Sequence, residues 1–506
     1  MVNINRKEQG ATRRSRNKRR RAAVLVTVHV LILLHILHWK VTGMTLAPLE
    51  FNEVMYTLEL GIVTVGFLFM LVTVLATLVF GRFFCGWACH ILALQDLCAW
   101  LLAKMRLPQK QIRSRALFLV APGAMFYMFI WPQISRILAG RPPPELRVVS
   151  DGEGWASFIT SDLWRNLPGP AGIVITFAIC GFAIVYFFGS RAFCFYACPY
   201  GVIFDVADRF AASRVRLVGD CIQCGICTAN CSSHVRVHEE VVKFGRVVDP
   251  SCMKDLDCIK GCPEEALDFG RAKPSLMESF QPLKRRRYDF SWAEDALIAL
   301  VFVACFAIFR GLYDLVSFLV TLALSGILAY LAVTSFRLPK KRDVRLRNFR
   351  LKKNGVLTAD GKVFAFVMVA LGIFVVHSAA IRFHEATGRW GLEAAERELA
   401  SGVRPEMDSL EEARQRLVFV ERWGLIHSTE LIARLASAHQ IAGALGPAEN
   451  YLRRLLEREP ESAPVYYNLG SVLLAQGRPG EAQGFLERAA SLDPRYAEVL
   501  TGGALP

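Results

Sequence analysis

The chain has 506 residues, 53% of them hydrophobic, with a mean hydropathy of +0.32 and a formal net charge of +15. That length and hydropathy exclude a small soluble domain and point to a membrane protein carrying soluble parts. The basic runs flank apolar spans and no groove-reading motif accompanies them, so the charge answers to the positive-inside rule and no nucleic-acid partner is expected.

Residues 1–21 form a basic tail, and residues 22–39 are then apolar. No small-residue cleavage site follows, so this reads as a first transmembrane helix rather than a signal peptide. It carries His29, His35 and His38. Histidines in a span are functional candidates, and a haem would need a second ligand such as His377; polar packing is the simpler reading. Residues 57–80 form a second span and end in GRFFCGWACH. A basic stretch with Lys104, Arg106, Lys110, Arg113 and Arg115 marks the inside, and residues 116–131 form a third span. Residues 132–170 read as an outside loop whose Trp155 and Trp164 suit the interface. Residues 171–189 form the fourth span, followed by RAFCFYACPYG.

The two C-x3-C segments are an internal repeat. A shift of 109 residues aligns Arg82 with Arg191, Phe84 with Phe193, Cys85 with Cys194, Cys89 with Cys198 and Asp96 with Asp205. Each pair follows a span that runs inward, so all four cysteines belong at the cytoplasmic face, where repeated halves can build a shared site. Residues i and i+4 of a helix point the same way. Cys85, Cys89, Cys194 and Cys198 are therefore candidate additional ligands of a further cluster or another metal, or equally packed, reduced thiols. Cys98, Cys180 and Cys305 lie alone in apolar surroundings and read as core.

Residues 221–262 contain seven cysteines. Cys221, Cys224, Cys227 and Cys231 have the C-x2-C-x2-C-x3-C spacing of bacterial [4Fe–4S] ferredoxins. Cys252, Cys258 and Cys262, with Pro263 after them, keep the same spacing except that Asp255 stands at the second cysteine position. A carboxylate is a harder donor but can ligate iron. So thiol-rich an array belongs in a reducing compartment, whereas residues 382–506 hold no cysteine. Spans at 293–309, 315–335 and 363–381 follow. Residues 337–353, with nine Lys and Arg, give the strongest inside signal. Seven spans with the N-terminus inside leave the C-terminal region outside.

That region repeats at 34 residues. Ile432, Leu435 and Ala436 match Tyr466, Leu469 and Gly470, and Ala448, Leu452 and Pro460 match Ala482, Leu486 and Pro494. This is the tetratricopeptide pattern, with residues 392–425 as a candidate third helical pair. Such helix pairs are binding scaffolds.

The stretches GRFFCGWAC and FCFYACPYG, with the module after them, resemble the membrane-bound polyferredoxins of the NapH/NosR type, and are also similar to the CcoG-type cytochrome oxidase accessory proteins. The resemblance covers residues 57–275. Three positions depart from it: His90 and Ser232 stand where Pro is usual, and Asp255 replaces a cluster cysteine. There is no S-G-A-T-type flavin attachment sequence and no C-x-x-C-H haem motif. In two-cluster ferredoxins the fourth cysteine of each run ligates the other cluster. One cluster would then take Cys221, Cys224, Cys227 and Cys262. The other would take Cys252, Asp255, Cys258 and Cys231, as an Asp-ligated [4Fe–4S] or a [3Fe–4S] centre.

The expected fold is mainly α: a polytopic helical bundle (residues 22–211 and 281–385) of about seven spans, an inserted α+β two-cluster ferredoxin-like domain (212–280) and a C-terminal α-solenoid (386–506). The expected function is electron transfer in the bacterial inner membrane rather than stand-alone enzymology. Single electrons would pass between a cytoplasmic or quinol partner and a membrane or periplasmic redox system. The cluster domain would be cytoplasmic, and the repeats would dock a protein outside. The alternatives are an oxidase assembly factor that reduces copper, and an iron–sulfur redox sensor or scaffold.

Overall fold

Among the described residues, six helices have the length and composition to cross a membrane: Lys18–Thr42, Arg115–Leu138, Pro170–Phe188, Trp292–Phe309, Phe318–Lys340 and Ala359–Ala400. By that measure the chain is a membrane protein. The computed structural model describes residues 16–107, 109–149, 156–161, 163, 169–233, 235–280, 288–493 and 495–500. The first fifteen residues of the basic tail, Trp155, Trp164 and the basic residues 284–287 lie outside the described residues.

The expected second span, 57–80, is not one helix. A short helix, Val54–Leu60, ends at Gly61 in the left-handed region (φ 73°), and a new helix, Val65–Phe80, begins after Thr64. A side chain at Gly61 would collide with the Glu145 carbonyl. The break is satisfied locally. The Thr64 hydroxyl accepts from Phe67 N at 3.2 Å, the Thr57 hydroxyl donates to Ile62 O at 2.6 Å, and Ile62 bridges to Arg147. Averaged hydropathy hides such a capped break, because the residues in it are themselves apolar or small. The 16-residue helix that remains is about 24 Å long, shorter than the hydrocarbon core.

Two further spans contain π-turns, Phe126–Ile130 and Phe177–Ala183. Cys98 and Cys180 are packed where the Pro170–Phe188 helix meets the His90–Lys104 helix, and both are buried, as is Cys305. A side chain at Gly181 would press on the Cys98 sulfur at 3.0 Å.

The chain divides into two units, Met1–Ala304 with Leu319–Phe364, and Cys305–Phe318 with Ala365–Pro506. In the first unit, the insertion between Pro170–Phe188 and Trp292–Phe309 is built on two antiparallel strands, Ser213–Leu217 and Leu267–Arg271, with Val215 opposite Phe269. Three short helices, Ile226–Ala229, Val237–Phe244 and Asp257–Lys260, complete it. Val215, Val235, Val237, Val241, Val247 and Leu267 close a core around Cys227, Cys231, Cys252 and Cys258. The basic stretch after Lys340 is not a plain loop. It forms a three-stranded antiparallel sheet, Val344–Leu346, Phe349–Lys353 and Val356–Leu357. Asn354 and Gly355, both at positive φ, make the tight Asn-Gly turn that such a hairpin needs.

In the second unit, helices Thr429–Ile441 and Leu445–Arg458 are followed, 34 residues on at every boundary, by Ala463–Ala475 and Pro479–Leu492. Ala448, Leu469 and Ala482 are fully buried between them. The expected boundary at 385/386 falls inside one 42-residue helix, Ala359–Ala400. Nothing between 382 and 392 stops a helix, because the glycines there serve packing. A side chain at Gly391 would meet Ala413 at 2.8 Å, and one at Gly388 would meet Leu417 at 3.0 Å. The end of this helix and Met407–Trp423 thus supply a helical pair ahead of the two repeats.

Candidate iron–sulfur site

The two C-x3-C segments fold alike. Short helices Phe83–Trp87 and Ala192–Tyr196, 109 residues apart, carry Cys85 and Cys194. Cys89 and Cys198 lie beyond them, as the N-caps of helices His90–Lys104 and Pro199–Arg209. The sequence expectation that each pair shares one helix face is therefore corrected. Ala88 and Ala197 leave helical geometry (φ −124° and −125°), and each second cysteine is extended. Pro199 explains one case, since proline suits the first helical position and drives the residue before it out of the helical region. His90 occupies the same first position in the other half.

The four thiols are brought together. Cys85, Cys89 and Cys198 each influence Cys194, and Cys85 and Cys89 influence Cys198. Burial pushes the Cys89 thiol up to about 11 and the Cys198 thiol up to about 12. Amides of the first helical turn oppose this, from Ile91 and Leu92 at Cys89 and from Gly201 at Cys198. Such thiols stay protonated without a cation and become good ligands with one.

The second group lies in two loops of the same conformation, 31 residues apart. Gln223 and Gly225 have positive φ (55° and 75°), and so do Lys254 and Leu256 (53° and 61°). Helices Ile226–Ala229 and Asp257–Lys260 keep the same offset. A leucine in the left-handed region costs about 1–2 kcal/mol, so the second loop retains a strained shape that its composition alone does not favour. Cys221, Cys224 and Cys227 of the first loop line one cavity with Cys262, which follows the second loop's helix, together with Ile222, Gly225, His238 and Pro263. In the second, Cys231, Cys252, Asp255 and Cys258 are mutual electrostatic neighbours. Among the described residues no three such side chains close on a single metal ion. Ligands spread over the separate irons of a cubane need not converge that tightly.

Asp255 is 4% exposed. Burial would raise its pKa, but Arg191, Ser232 and Arg21 together hold it below the usual range. Its Oδ2 accepts from Arg191 Nη1 at 3.1 Å and from the Ser232 hydroxyl, and lies 3.5 Å from Arg21 Nη1. Ser232 and Asp255 are two of the departures from the family pattern, and here they bond to each other. A proline at 232 would have no hydroxyl to give.

The two cysteine groups touch. Trp87 Nε1 donates to Lys254 O at 2.9 Å, and a side chain at Gly86 would collide with the Met253 carbonyl. Asp208, fully buried, accepts from Arg82 N at 3.0 Å and Lys254 Nζ at 2.9 Å through Oδ1, and from Arg214 Nη1 at 3.4 Å through Oδ2. It thereby ties the first C-x3-C turn, the second loop and the first strand to its own helix. Arg82 is paired with Asp205. Arg191, fully buried, lies near Asp96 (Nε to Oδ1, 3.7 Å) and donates to Ser233 Oγ at 2.9 Å. Among the described residues, Arg82 Nε and Arg191 Nε and Nη2 have no hydrogen-bond acceptor. An unsatisfied buried donor costs about 1–3 kcal/mol.

Sequence reasoning missed Asp208, Lys254, Ser233 and Arg21. No motif marks them, because their partners are 40 or more residues away or lie across a loop. The histidines are occupied in local polar contacts: His29 Nδ1 with Leu25 O at 2.8 Å, His35 Nε2 with Leu46 O at 2.9 Å, His38 Nδ1 with Thr45 Oγ1 at 3.0 Å, and His377 Nε2 with Trp423 O at 2.9 Å.

Comparison with known proteins places the same segments in context. The 4Fe-4S binding domain family matches residues 62–108 and 169–217, the two C-x3-C halves, and a tetratricopeptide repeat family matches 438–502. "Uncharacterized protein MJ0750" of Methanocaldococcus jannaschii is 22% identical over 209 residues, 40% of this chain and 78% of that protein. "Putative electron transport protein YccM" of Escherichia coli K12 is 29% identical over 116 residues, 22% of this chain and 30% of that protein. "Methylamine utilization ferredoxin-type protein MauN" of Methylobacillus flagellatus is 27% identical over 156 residues, 30% of this chain and 48% of that protein. The chain is thus a polyferredoxin-like membrane protein with 4Fe-4S binding domains and tetratricopeptide repeats. It spans less than half the length of the last two relatives.

Proposed function

We propose that this is a membrane-anchored iron–sulfur electron-transfer protein. The observation that carries the reading is the cavity ringed by Cys221, Cys224, Cys227 and Cys262, beside a second loop of the same left-handed shape. The first set holds a [4Fe–4S] cluster. Cys231, Cys252, Asp255 and Cys258 hold the second, as an Asp-ligated [4Fe–4S] or a [3Fe–4S] centre. Cys85, Cys89, Cys194 and Cys198 hold a further iron–sulfur centre at the membrane face. Bound clusters supply reversible one-electron exchange without proton chemistry.

The protein's own residues do the rest. Buried thiols exclude water, the strained loops set ligand spacing, and Arg191 with Ser232 keeps Asp255 anionic. The contact of Trp87 and Gly86 with residues 253–254 keeps the two cysteine groups adjacent, which suits a relay from the cytoplasm to the membrane. A cytoplasmic protein or a quinol is one redox partner, and a membrane or periplasmic system is the other. The repeats dock a protein on the outer side of a bacterial inner membrane. The relatives described as electron transport and ferredoxin-type proteins support this reading.

The test is iron and acid-labile sulfide per chain, with EPR, on anaerobically purified full-length protein. About twelve irons fit three cubanes, and about eleven fit one [3Fe–4S] centre with two cubanes. A chain reconstituted anaerobically that binds no sulfide sinks the proposal.

A further inference from the structure

The 109-residue repeat aligns Arg82 with Arg191 and Asp96 with Asp205. In space the pairs are crossed. Arg82 of the first half pairs with Asp205 of the second, and Arg191 of the second half lies with Asp96 of the first. Each arginine also stays beside the first cysteine of its own half, Arg82 at Cys85 and Arg191 at Cys194. The arrangement puts two deeply buried guanidinium groups against one group of four thiols.

If the arginines only joined the halves, each fork would be spent on its carboxylate. It is not. Arg191 Nε is 3.7 Å from Asp96, too far for a hydrogen bond, and its Nη2 has no acceptor among the described residues; nor has Arg82 Nε. Arg82 also hydrogen-bonds the Cys85 thiol itself, and the donors left over call for a further acceptor. Inorganic sulfide and cysteine thiolates are soft anionic acceptors of the required charge. Arg191 has a second neighbourhood as well: its Nη1 is 3.1 Å from Asp255, and it lies near Cys231. Arg82 meets neither Asp255 nor Ser232; its other contacts are Asp208 and Pro250 O.

We propose that Arg82 and Arg191 are charge-setting donors to the iron–sulfur centre of Cys85, Cys89, Cys194 and Cys198, Arg82 paired with Asp205 and Arg191 facing Asp96 of the opposite half, and that Arg191 also couples that centre to the one beside Asp255. The inference rests on the proposed function, which puts a cluster at these four thiols. Positive charge and N–H···S bonds favour the reduced state of a cluster and so raise its potential. Arg82 acts on one centre and Arg191 on two.

The experiment is an anaerobic redox titration followed by EPR on the full-length protein, with iron counted for every variant. A Cys85→Ser, Cys194→Ser double variant first tests the underlying reading: it loses about four irons per chain. If the iron content is unchanged, both the reading and the inference fall. With that loss established, Arg82→Gln lowers the midpoint potential of the four-thiol centre alone, whereas Arg191→Gln lowers it at that centre and at the one beside Asp255. Arg82→Lys, which keeps the charge, restores most of the shift. Asp96→Asn and Asp205→Asn shift the four-thiol centre in the opposite direction, upward, which mere loosening of the halves would not do. Unshifted potentials in iron-replete arginine variants, or shifts of one sign in arginine and aspartate variants alike, overturn the inference and leave the cluster assignment standing.

Discussion

Ser232 and Asp255 depart separately from the ferredoxin pattern, yet the hydroxyl of one bonds the carboxylate of the other, and Arg191 and Arg21 close round it. In the proposed assignment this makes the two ferredoxin-type centres unequal, since one has an oxygen ligand already engaged by cations. Replacing Asp255 with Cys restores the complete C-x2-C-x2-C-x3-C run. The expected outcome is a rise in the iron-to-chain ratio, or an unchanged ratio with loss of any oxidised-state [3Fe–4S] EPR signal. A second residue-scale expectation concerns Asp208. Asp208→Ala strands Lys254 and Arg214 in the interior without their counter-ion, and removing one partner of a buried pair costs about 3–5 kcal/mol. Thermal unfolding of the purified protein, followed by loss of cluster absorbance, checks it; a midpoint equal to that of the unmodified chain argues against the hub.

At the scale of elements, the contact between the first C-x3-C turn and the second loop depends on the absence of a side chain at Gly86. Gly86→Ala drives a methyl into the Met253 carbonyl. Faster iron release to a chelator is expected, with helix content unchanged by circular dichroism. In the repeats, Leu469 is fully buried beside Ala448 and Ala482. Leu469→Ala removes about 2–5 kcal/mol and lowers the unfolding temperature of the repeat region, while iron content stays as it was. The 34-residue period was legible because each helix boundary recurs with it. The break at 61–64 was not, because glycine and threonine among apolar residues leave the hydropathy average high while capping chemistry ends the helix. The sheet at 344–357 was hidden by its charge, although the Asn354-Gly355 turn was a readable signal.

At the scale of the whole molecule, the number of crossings decides on which side the repeats lie. Among the described residues six helices qualify by length and composition, and Val65–Phe80 is a further apolar helix of 16 residues. It precedes the first C-x3-C turn as Pro170–Phe188 precedes the second, so repeat symmetry favours its crossing. With seven crossings, a phosphatase reporter appended to the repeat region is active outside the cytoplasm and a fluorescent reporter there is dark. The reverse result means six crossings and a cytoplasmic repeat domain.

The residues alone determined what depends on identity and spacing along the chain: which segments are apolar, where thiols recur at ligand intervals, and the 31-, 34- and 109-residue periods. A period survives in sequence because each copy meets the same local physics. Only the tertiary structure decided which copies meet, since contact across 100 residues leaves no trace in local composition. The meeting of four cysteines from two halves, the crossing of Arg82 and Arg191 onto each other's aspartates, and the grip of Arg191 on Asp255 all belong to that second class.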